Sequence, residues 1–270
     1  MKVALCQTNC GEDVAANERQ VFGLLEEAAT AGVDLAALPE VWPCQGSASQ
    51  VRAAAEPLDG PRVARMAEVA RRHRVWLHGG SVLELDGERV FNTSLLFDRD
   101  GELLATYRKI HLFDADPPAA VPSRESHLFT AGDQVVTAET EFGRAGMSIC
   151  YDLRFPELYR ELAVLGATLV FVPAAFRHET GKDHWEVLLR ARAIEDQAFV
   201  VAAAQWGTWG PQGRERRNFG NSLVADPWGR VTARAPDGVG VTIAELDLDE
   251  VGRVREALPA LRHRRLNPIC

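Results

Sequence analysis

The sequence predicts an α/β fold built as one layered domain, with two sheets packed face to face and helices outside them. Three observations predict it. Strand-like apolar runs recur from Val3 to beyond residue 240, stretches with helical apolar spacing alternate with them, and no repeat, low-complexity tract or linker interrupts the chain. A length of 270 residues fits one large domain or two small ones, and the unbroken alternation favours one.

In chain order, Val3-Ala4-Leu5 reads as a short buried strand. Val21, Leu24, Leu25 and Ala28 then mark an amphipathic helix, with Gly32 where a C-cap belongs. The run from Asp34 to Leu38 stops at Pro39-Glu40, which puts Glu40 at a strand end. Val63, Met66, Ala67 and Ala70 give a second helix leading into a strand from Val75 to Leu83. Asp86-Gly87 and Asp98 to Gly101 punctuate three strand runs, an antiparallel meander closing near Tyr107-Arg108-Lys109, so Lys109 also falls at a strand end. Residues 110–134, with Pro117, Pro118, Pro122 and Gly132, read as a long functional loop. Val135-Val136 and Gly146 to Ile149 are expected as strands, the second ending at Cys150. A helix over Glu157 to Leu165, a strand over Leu169 to Val172, a helix over Trp185 to Ile194 and a strand over Phe199 to Ala203 complete a βαβαβ succession. Two more strands flank Asp226-Pro-Trp-Gly229, and Val239 to Leu246 gives the last strand before a charged helix over Glu250 to Ala257.

Composition narrows the function classes. With 46% hydrophobic and 25% charged residues the chain has the balance of an ordinary globular protein. Its net charge of -8 lacks the basic footprint of most nucleic-acid binders, so no nucleic-acid partner is expected. The first residues hold too short an apolar run for a secretory segment or membrane span, so a cytoplasmic location and no membrane partner are expected. Cys6, Cys10, Cys44, Cys150 and Cys270 show neither CxxC spacing nor a neighbouring His cluster, which argues against a disulfide framework and a zinc site.

Cys150 ends an apolar strand and precedes Tyr-Asp-Leu-Arg-Phe-Pro-Glu, whose Pro156 suits the first turn of a helix. Such a strand-to-helix elbow exposes the side chain at a sheet edge and leaves the Tyr151 N–H free, as a nucleophile and its oxyanion hole require. The plainer alternative is a small buried core cysteine. A nucleophilic thiol needs a base or cation nearby, and Glu40 and Lys109, both at strand ends, supply one of each. Alone, each would read as a solvated surface residue.

Leu-Pro-Glu40, Tyr-Arg-Lys109-Ile-His-Leu and Ile-Cys150-Tyr-Asp-Leu-Arg-Phe-Pro-Glu together resemble, in order, the three strand-end motifs of the nitrilase superfamily of carbon–nitrogen hydrolases. The resemblance extends from Val3 to about Arg265. It implies a four-layer α-β-β-α sandwich, one hydrolase domain over residues 1–265 with 266–270 as a tail, and a Glu40, Lys109, Cys150 triad. Glu125 matches the family's second glutamate. Pro173 to Phe176, Gly181 to Glu195, Val200 to Gln205 and Asp226 to Gly229 look most like the Nit branch, which includes the deaminated glutathione amidase and the omega-amidase, and the run from His184 to Gln205 is closer to the first. Two departures stand out: the family's Gly-His-Ser is Gly220-Asn221-Ser222, and the segment Trp206 to Arg217 is rich in Trp, Gly and Arg.

The resemblance implies hydrolysis of a small carboxylate-bearing amide to acid plus ammonia through a cysteine thioester, without cofactor or metal, in a homodimer or larger homo-oligomer. Substrate contacts are expected from Tyr151, Arg154, Phe176 and Arg177, the two arginines suiting a carboxylate. Arg154 has a structural alternative, an internal pair with Asp152 or Glu157. Trp185 and Trp228 are expected in core or interface positions. An N-carbamoyl amino acid or a nitrile would suit the same triad, and a catalytically silent metabolite-binding protein is the reading from another class. A flavodoxin-like nucleotide binder is disfavoured, because no glycine-rich phosphate loop follows the first strand.

Overall fold

The computed structural model of the chain describes residues 1–116 and 122–266. The strands are β1 (Lys2–Gln7), β2 (Leu35–Ala37), β3 (Trp76–Asp86), β4 (Arg89–Phe97), β5 (Leu103–Arg108), β6 (Asp114–Ala115), β7 (Ser123–Arg124) and β8 (Thr137–Thr140). They continue with β9 (Gly143–Met147), β10 (Leu169–Phe171), β11 (Phe199–Ala202), β12 (Trp206–Trp209), β13 (Arg216–Phe219), β14 (Leu223–Ala225), β15 (Val231–Arg234) and β16 (Gly240–Glu245). The helices are α1 (Val14–Thr30), α2 (Ala48–Ala54), α3 (Pro61–His73), α4 (Pro156–Val164), α5 (His178–Asp196) and α6 (Asp249–Ala257).

Twelve strands and two helix pairs form the expected four layers. One sheet runs β16-β1-β2-β3-β4-β5 and the other β15-β14-β11-β10-β9-β8, six strands each. Alternation along β1 shows the layering: Val3 and Leu5 face the core shared with the second sheet, while Ala4 and Cys6 face α1 and α3. Between the sheets, His78 of β3 stacks on Phe171 of β10 at 4.3 Å and bonds Ser94 Oγ at 2.9 Å. Burial pushes the pKa of this imidazole down to about 3, so it is neutral in the folded protein. On the outer face of the second sheet, Trp185 is fully buried and donates to the Asn221 carbonyl at 2.8 Å. The parallel strands β9, β10 and β11 are linked through α4 and α5, as the βαβαβ pattern predicts.

Local rules account for the helix starts. Asp13 caps α1 by accepting from Ala16 N, Ser47 and Gln50 form a capping box on α2, and Pro61 and Pro156 open α3 and α4. No helix among the described residues is long and apolar enough to cross a membrane.

The structure corrects several expectations. The strand placed at Val135-Val136 begins at Thr137 instead: it is an edge strand of mixed polarity, which needs no apolar run. The strand expected to reach Cys150 leaves its ladder after Met147, because the Ile149 N–H turns to Asp152 Oδ2 at 2.8 Å. Residues Cys150–Arg154 then form a 3-10 turn. The long loop holds the small ribbon β6–β7, with Pro117 and Pro118 outside the described residues, as are Cys270 and residues 267–270 of the tail. Trp228 is about half exposed (48%) in its turn and belongs to no core. The segment Trp206 to Arg217 is largely the antiparallel ribbon β12–β13.

Gly80 shows how tightly β3 holds the Glu40 turn. Its φ is +62°, and a Cβ there would lie 2.1 Å from the Pro39 carbonyl oxygen. Gly80→Ala is expected to cost roughly 2 kcal/mol or more through overpacking and left-handed strain. Chemical denaturation checks this, and an unchanged midpoint contradicts it.

Candidate active site

Three strand ends meet at one rim of the two sheets. Glu40 follows β2, Lys109 follows β5 and Cys150 follows β9, and all three side chains are buried. Lys109 Nζ donates to Glu40 Oε1 and to Glu125 Oε2, each at 2.8 Å, and its side chain has 0% exposure. Further donors to these two carboxylates come from other elements. Asn92 Nδ2 on β4 donates to Glu40 Oε1 at 2.9 Å, Ala175 N beyond β10 donates to Glu40 Oε2 at 2.7 Å, and Phe113 N donates to Glu125 Oε2 at 2.8 Å. Gln205 Nε2 holds the Glu40 carbonyl at 3.0 Å.

Both turns that carry reactive groups are strained. Val41, just after Glu40, has φ +43°, and Cys150 itself has φ +46°. A β-branched residue in this region is an outlier, and such strain persists only where the surroundings over-determine it. Here the Val41 N–H donates to Ser81 Oγ at 2.9 Å and the Cys150 N–H to the Pro173 carbonyl at 3.0 Å. Asp152 anchors the second turn. Fully buried, it accepts from Tyr107 Oη at 2.8 Å and His111 N at 3.1 Å, tying the turn to the segment that carries Lys109. Arg192 of α5 holds the Leu153 carbonyl from the other side at 3.0 Å through Nη2. The Tyr151 N–H has no backbone acceptor among the described residues, in keeping with the elbow expected there.

Burial, and then the Glu40 carboxylate, hold the Cys150 thiol well above its ordinary pKa, against the opposing pull of Lys109. Burial by itself would lower the pKa of Lys109, but Glu125 and Glu40 outweigh it and the ammonium stays charged. Burial also raises Glu125, with Lys109 opposing. The arrangement is therefore a neutral thiol beside a carboxylate that can take its proton, with a fixed cation adjacent.

The cavity over Cys150 is lined by Glu40, Glu125 and Tyr151, and by Arg154, Phe176 and Arg177; of the residues expected at the site, Lys109 alone does not line it and lies behind Glu40 and Glu125. Arg154 pairs with neither Asp152 nor Glu157. It lies 5.1 Å over the Phe176 ring and 5.9 Å over Tyr151, with Nη1 3.2 Å from His184 Nδ1. The sequence reading missed Asn92, Gln205, Asp152 as an anchor, and Trp209 and Arg216, which also line the cavity. For Asn92 a signal existed: Asn92-Thr93-Ser94 are three buried polar residues inside an apolar strand. Asn221, the departure from the family pattern, adopts φ +55° and accepts Trp185 through its carbonyl; it lies in the turn between β13 and β14, not in the cavity lining.

Residues 2–256 match the carbon–nitrogen hydrolase family, and the chain belongs to that family; it is a hydrolase of the nitrilase superfamily. Among its relatives, deaminated glutathione amidase of Mus musculus is 38% identical over 270 residues, covering 97% of this chain and 83% of the mouse protein. Human omega-amidase is 35% identical over 267 residues, covering 98% of this chain and 95% of its own. A solved Saccharomyces cerevisiae protein of branch 10 of the nitrilase superfamily matches with a TM-score of 0.87 at 32% identity, over 98% of this chain and 97% of that one.

Because the folded protein keeps Cys150 protonated, its alkylation by iodoacetamide is expected to rise about tenfold per pH unit, following the thiolate fraction, through pH 8 and beyond. A rate that levels off below pH 8 contradicts the assignment.

Proposed function

We propose that the chain is an amidase for small carboxylate-bearing amides, with Cys150 as nucleophile, Glu40 as general base and Lys109 as oxyanion-stabilising cation. The observation that carries this reading is the fully buried Lys109 ammonium held between Glu40 and Glu125, two carboxylates that line the same cavity as Cys150. As Cys150 Sγ attacks the carbonyl carbon, its proton passes to Glu40. Lys109 and the Tyr151 N–H hold the resulting oxyanion. The tetrahedral intermediate collapses by breaking the carbon–nitrogen bond, the nitrogen leaves with the proton from Glu40, and a thioester remains. Water then attacks the thioester, Glu40 takes its proton, and the acid and thiol are released. Glu125 acts by positioning Lys109.

The relatives named deaminated glutathione amidase and omega-amidase support amides that carry a carboxylate, and Arg154 and Arg177 supply guanidinium groups for it. Residues 1–265 act as one catalytic domain in this reading, in the cytoplasm. A second copy of the chain completes a homodimer or larger assembly; the exposed Val187 and Ile194 on α5, Ile194 lying against Gly229, offer an apolar face for it.

The test follows acid formation from alpha-ketoglutaramate and from deaminated glutathione, since a secondary amide releases an amine where a primary amide releases ammonia. Cys150→Ala is expected to abolish turnover of whichever is a substrate. Glu125→Gln is expected to lower kcat roughly 10²-fold, the scale of a small misplacement of a catalytic group. Full activity in Cys150→Ala overturns the mechanism.

A further inference from the structure

Strand β4 carries a buried amide on its inner face. Asn92 is fully buried and shares the strand face of Ser94 and Leu96, which is turned toward the second sheet. Burying an amide in such a place is favourable only if its hydrogen bonds are made. Asn92 makes them at one end only. Its Nδ2 donates to Glu40 Oε1 at 2.9 Å, while its Oδ1 is buried without a partner among the described residues. The opposite orientation of the amide would set its carbonyl oxygen against a carboxylate oxygen, so the donor is the end that faces Glu40. The unmatched carbonyl is a cost to the fold, and the donation to an ionised group offsets it.

Donors are distributed unequally over the two oxygens of Glu40. Oε1 accepts from Lys109 Nζ at 2.8 Å and from Asn92 Nδ2, which fills its two lone pairs. Oε2 accepts the Ala175 N–H at 2.7 Å and keeps one lone pair open. Without Asn92 each oxygen would have one donor and one open lone pair, and a proton would have two places to go. Asn92 removes that equivalence. It also reaches the second charged residue, because its backbone carbonyl accepts the Lys109 N–H at 2.9 Å. One residue of β4 thus sets Glu40 from its side chain and Lys109 from its main chain. Asn92 is not among the described residues that line the cavity, so it touches the carboxylate and not a bound molecule.

We infer that Glu40 Oε2 is the atom that takes the proton of Cys150, and that Asn92 is the positioning residue that makes it so by occupying Oε1. The inference rests on the amidase reading and deepens it. On attack the S–H bond breaks and its proton goes to Glu40 Oε2. A sulfur electron pair forms the bond to the carbonyl carbon, whose π electrons move to oxygen. On collapse the same proton leaves Oε2 for the departing nitrogen as the carbon–nitrogen bond breaks. While Glu40 is neutral, Glu125 remains the acceptor beside the Lys109 ammonium, so the buried cation is never without a carboxylate.

The experiment replaces Asn92 in the full chain. Acid formation is followed from alpha-ketoglutaramate or deaminated glutathione, whichever the unsubstituted protein hydrolyses, with kcat counted per alkylatable Cys150. Asn92→Leu keeps the volume and removes the donor. Asn92→Ser leaves a hydroxyl too short to reach Glu40 and serves where the leucine variant does not fold. Ser94→Ala is the control on the same strand face. The Asn92 variants are expected to lose roughly tenfold or more in kcat while KM stays within about twofold. The acid limb of their kcat/KM profile is expected to move up by about one pH unit, because a donor to the ionised carboxylate is lost. Lys109, Glu125 and Cys150, the ionisable groups around Glu40, are unchanged in these variants, so the displacement reads the missing donor. Ser94→Ala is expected to keep the profile of the unsubstituted enzyme. A profile that only scales down, with its acid limb in place, overturns the role of Asn92. A rise in KM at constant kcat, or an equal displacement in Ser94→Ala, overturns it as well. Cys150-dependent hydrolysis with an unmoved limb leaves the amidase standing and removes this inference alone; no Cys150-dependent hydrolysis of either amide removes the amidase reading and the inference with it.

Discussion

Everything else at the site depends on one ammonium group withheld from water. A buried charge is tolerated only with close partners and with its partners' other hydrogen-bonding positions satisfied. Lys109 meets that condition through two carboxylates, and those carboxylates meet it through Asn92, the Ala175 N–H and the Phe113 N–H. The donors come from β4, from the segment after β10 and from the segment after β5, so the cluster exists only when both sheets are assembled. Truncating one carboxylate would leave the lysine short of a partner in a place where water does not compensate.

The sheets supply this assembly at a shared rim. In open α/β sheets, ligands bind beyond the carboxyl ends of the parallel strands. Glu40 lies past β2, Cys150 past β9 and Ala175 past β10, each a strand with a parallel neighbour. Chain reversal at that rim forces positive φ at Val41 and Cys150, and both conformations are held by hydrogen bonds from their own N–H groups. Asp152 is the pin between the two halves, since it holds the Cys150 turn while binding Tyr107 on the strand that ends at Lys109. A thiol in so dry a place is kept neutral; in the proposed mechanism the carboxylate beside it accepts its proton at the moment of attack.

The mouth of the cavity follows a different rule from its floor. On the floor the buried lysine has its partners; at the mouth the arginines rest on aromatic rings and have no acid within ion-pair distance among the described residues. Fixed partners suit a group whose charge must persist through a reaction cycle, and free guanidinium groups suit one that meets its counter-charge only when substrate arrives. The β12–β13 ribbon supplies two of these mouth residues, and Asn221 at its far side serves the packing of Trp185 instead.

The sequence by itself determined the α/β layering, the meander, the βαβαβ run and the strand-end places of Glu40, Lys109 and Cys150, because periodicity, caps and strand-ending prolines are local signals. It also carried Glu125 and the elbow before Pro156, through motif and turn chemistry. Local pattern failed where it is weak: an edge strand of mixed polarity at Thr137, and a strand end at Met147 that is set by Asp152 from three residues beyond Ile149. Only the tertiary structure decided that Asn92 and Gln205 serve Glu40, that Asp152 holds the turn instead of pairing with Arg154, and that Arg216 faces the same cavity as Arg177. Those contacts join residues from about 40 to 165 positions apart, and no local periodicity records which distant donor will reach a buried carboxylate.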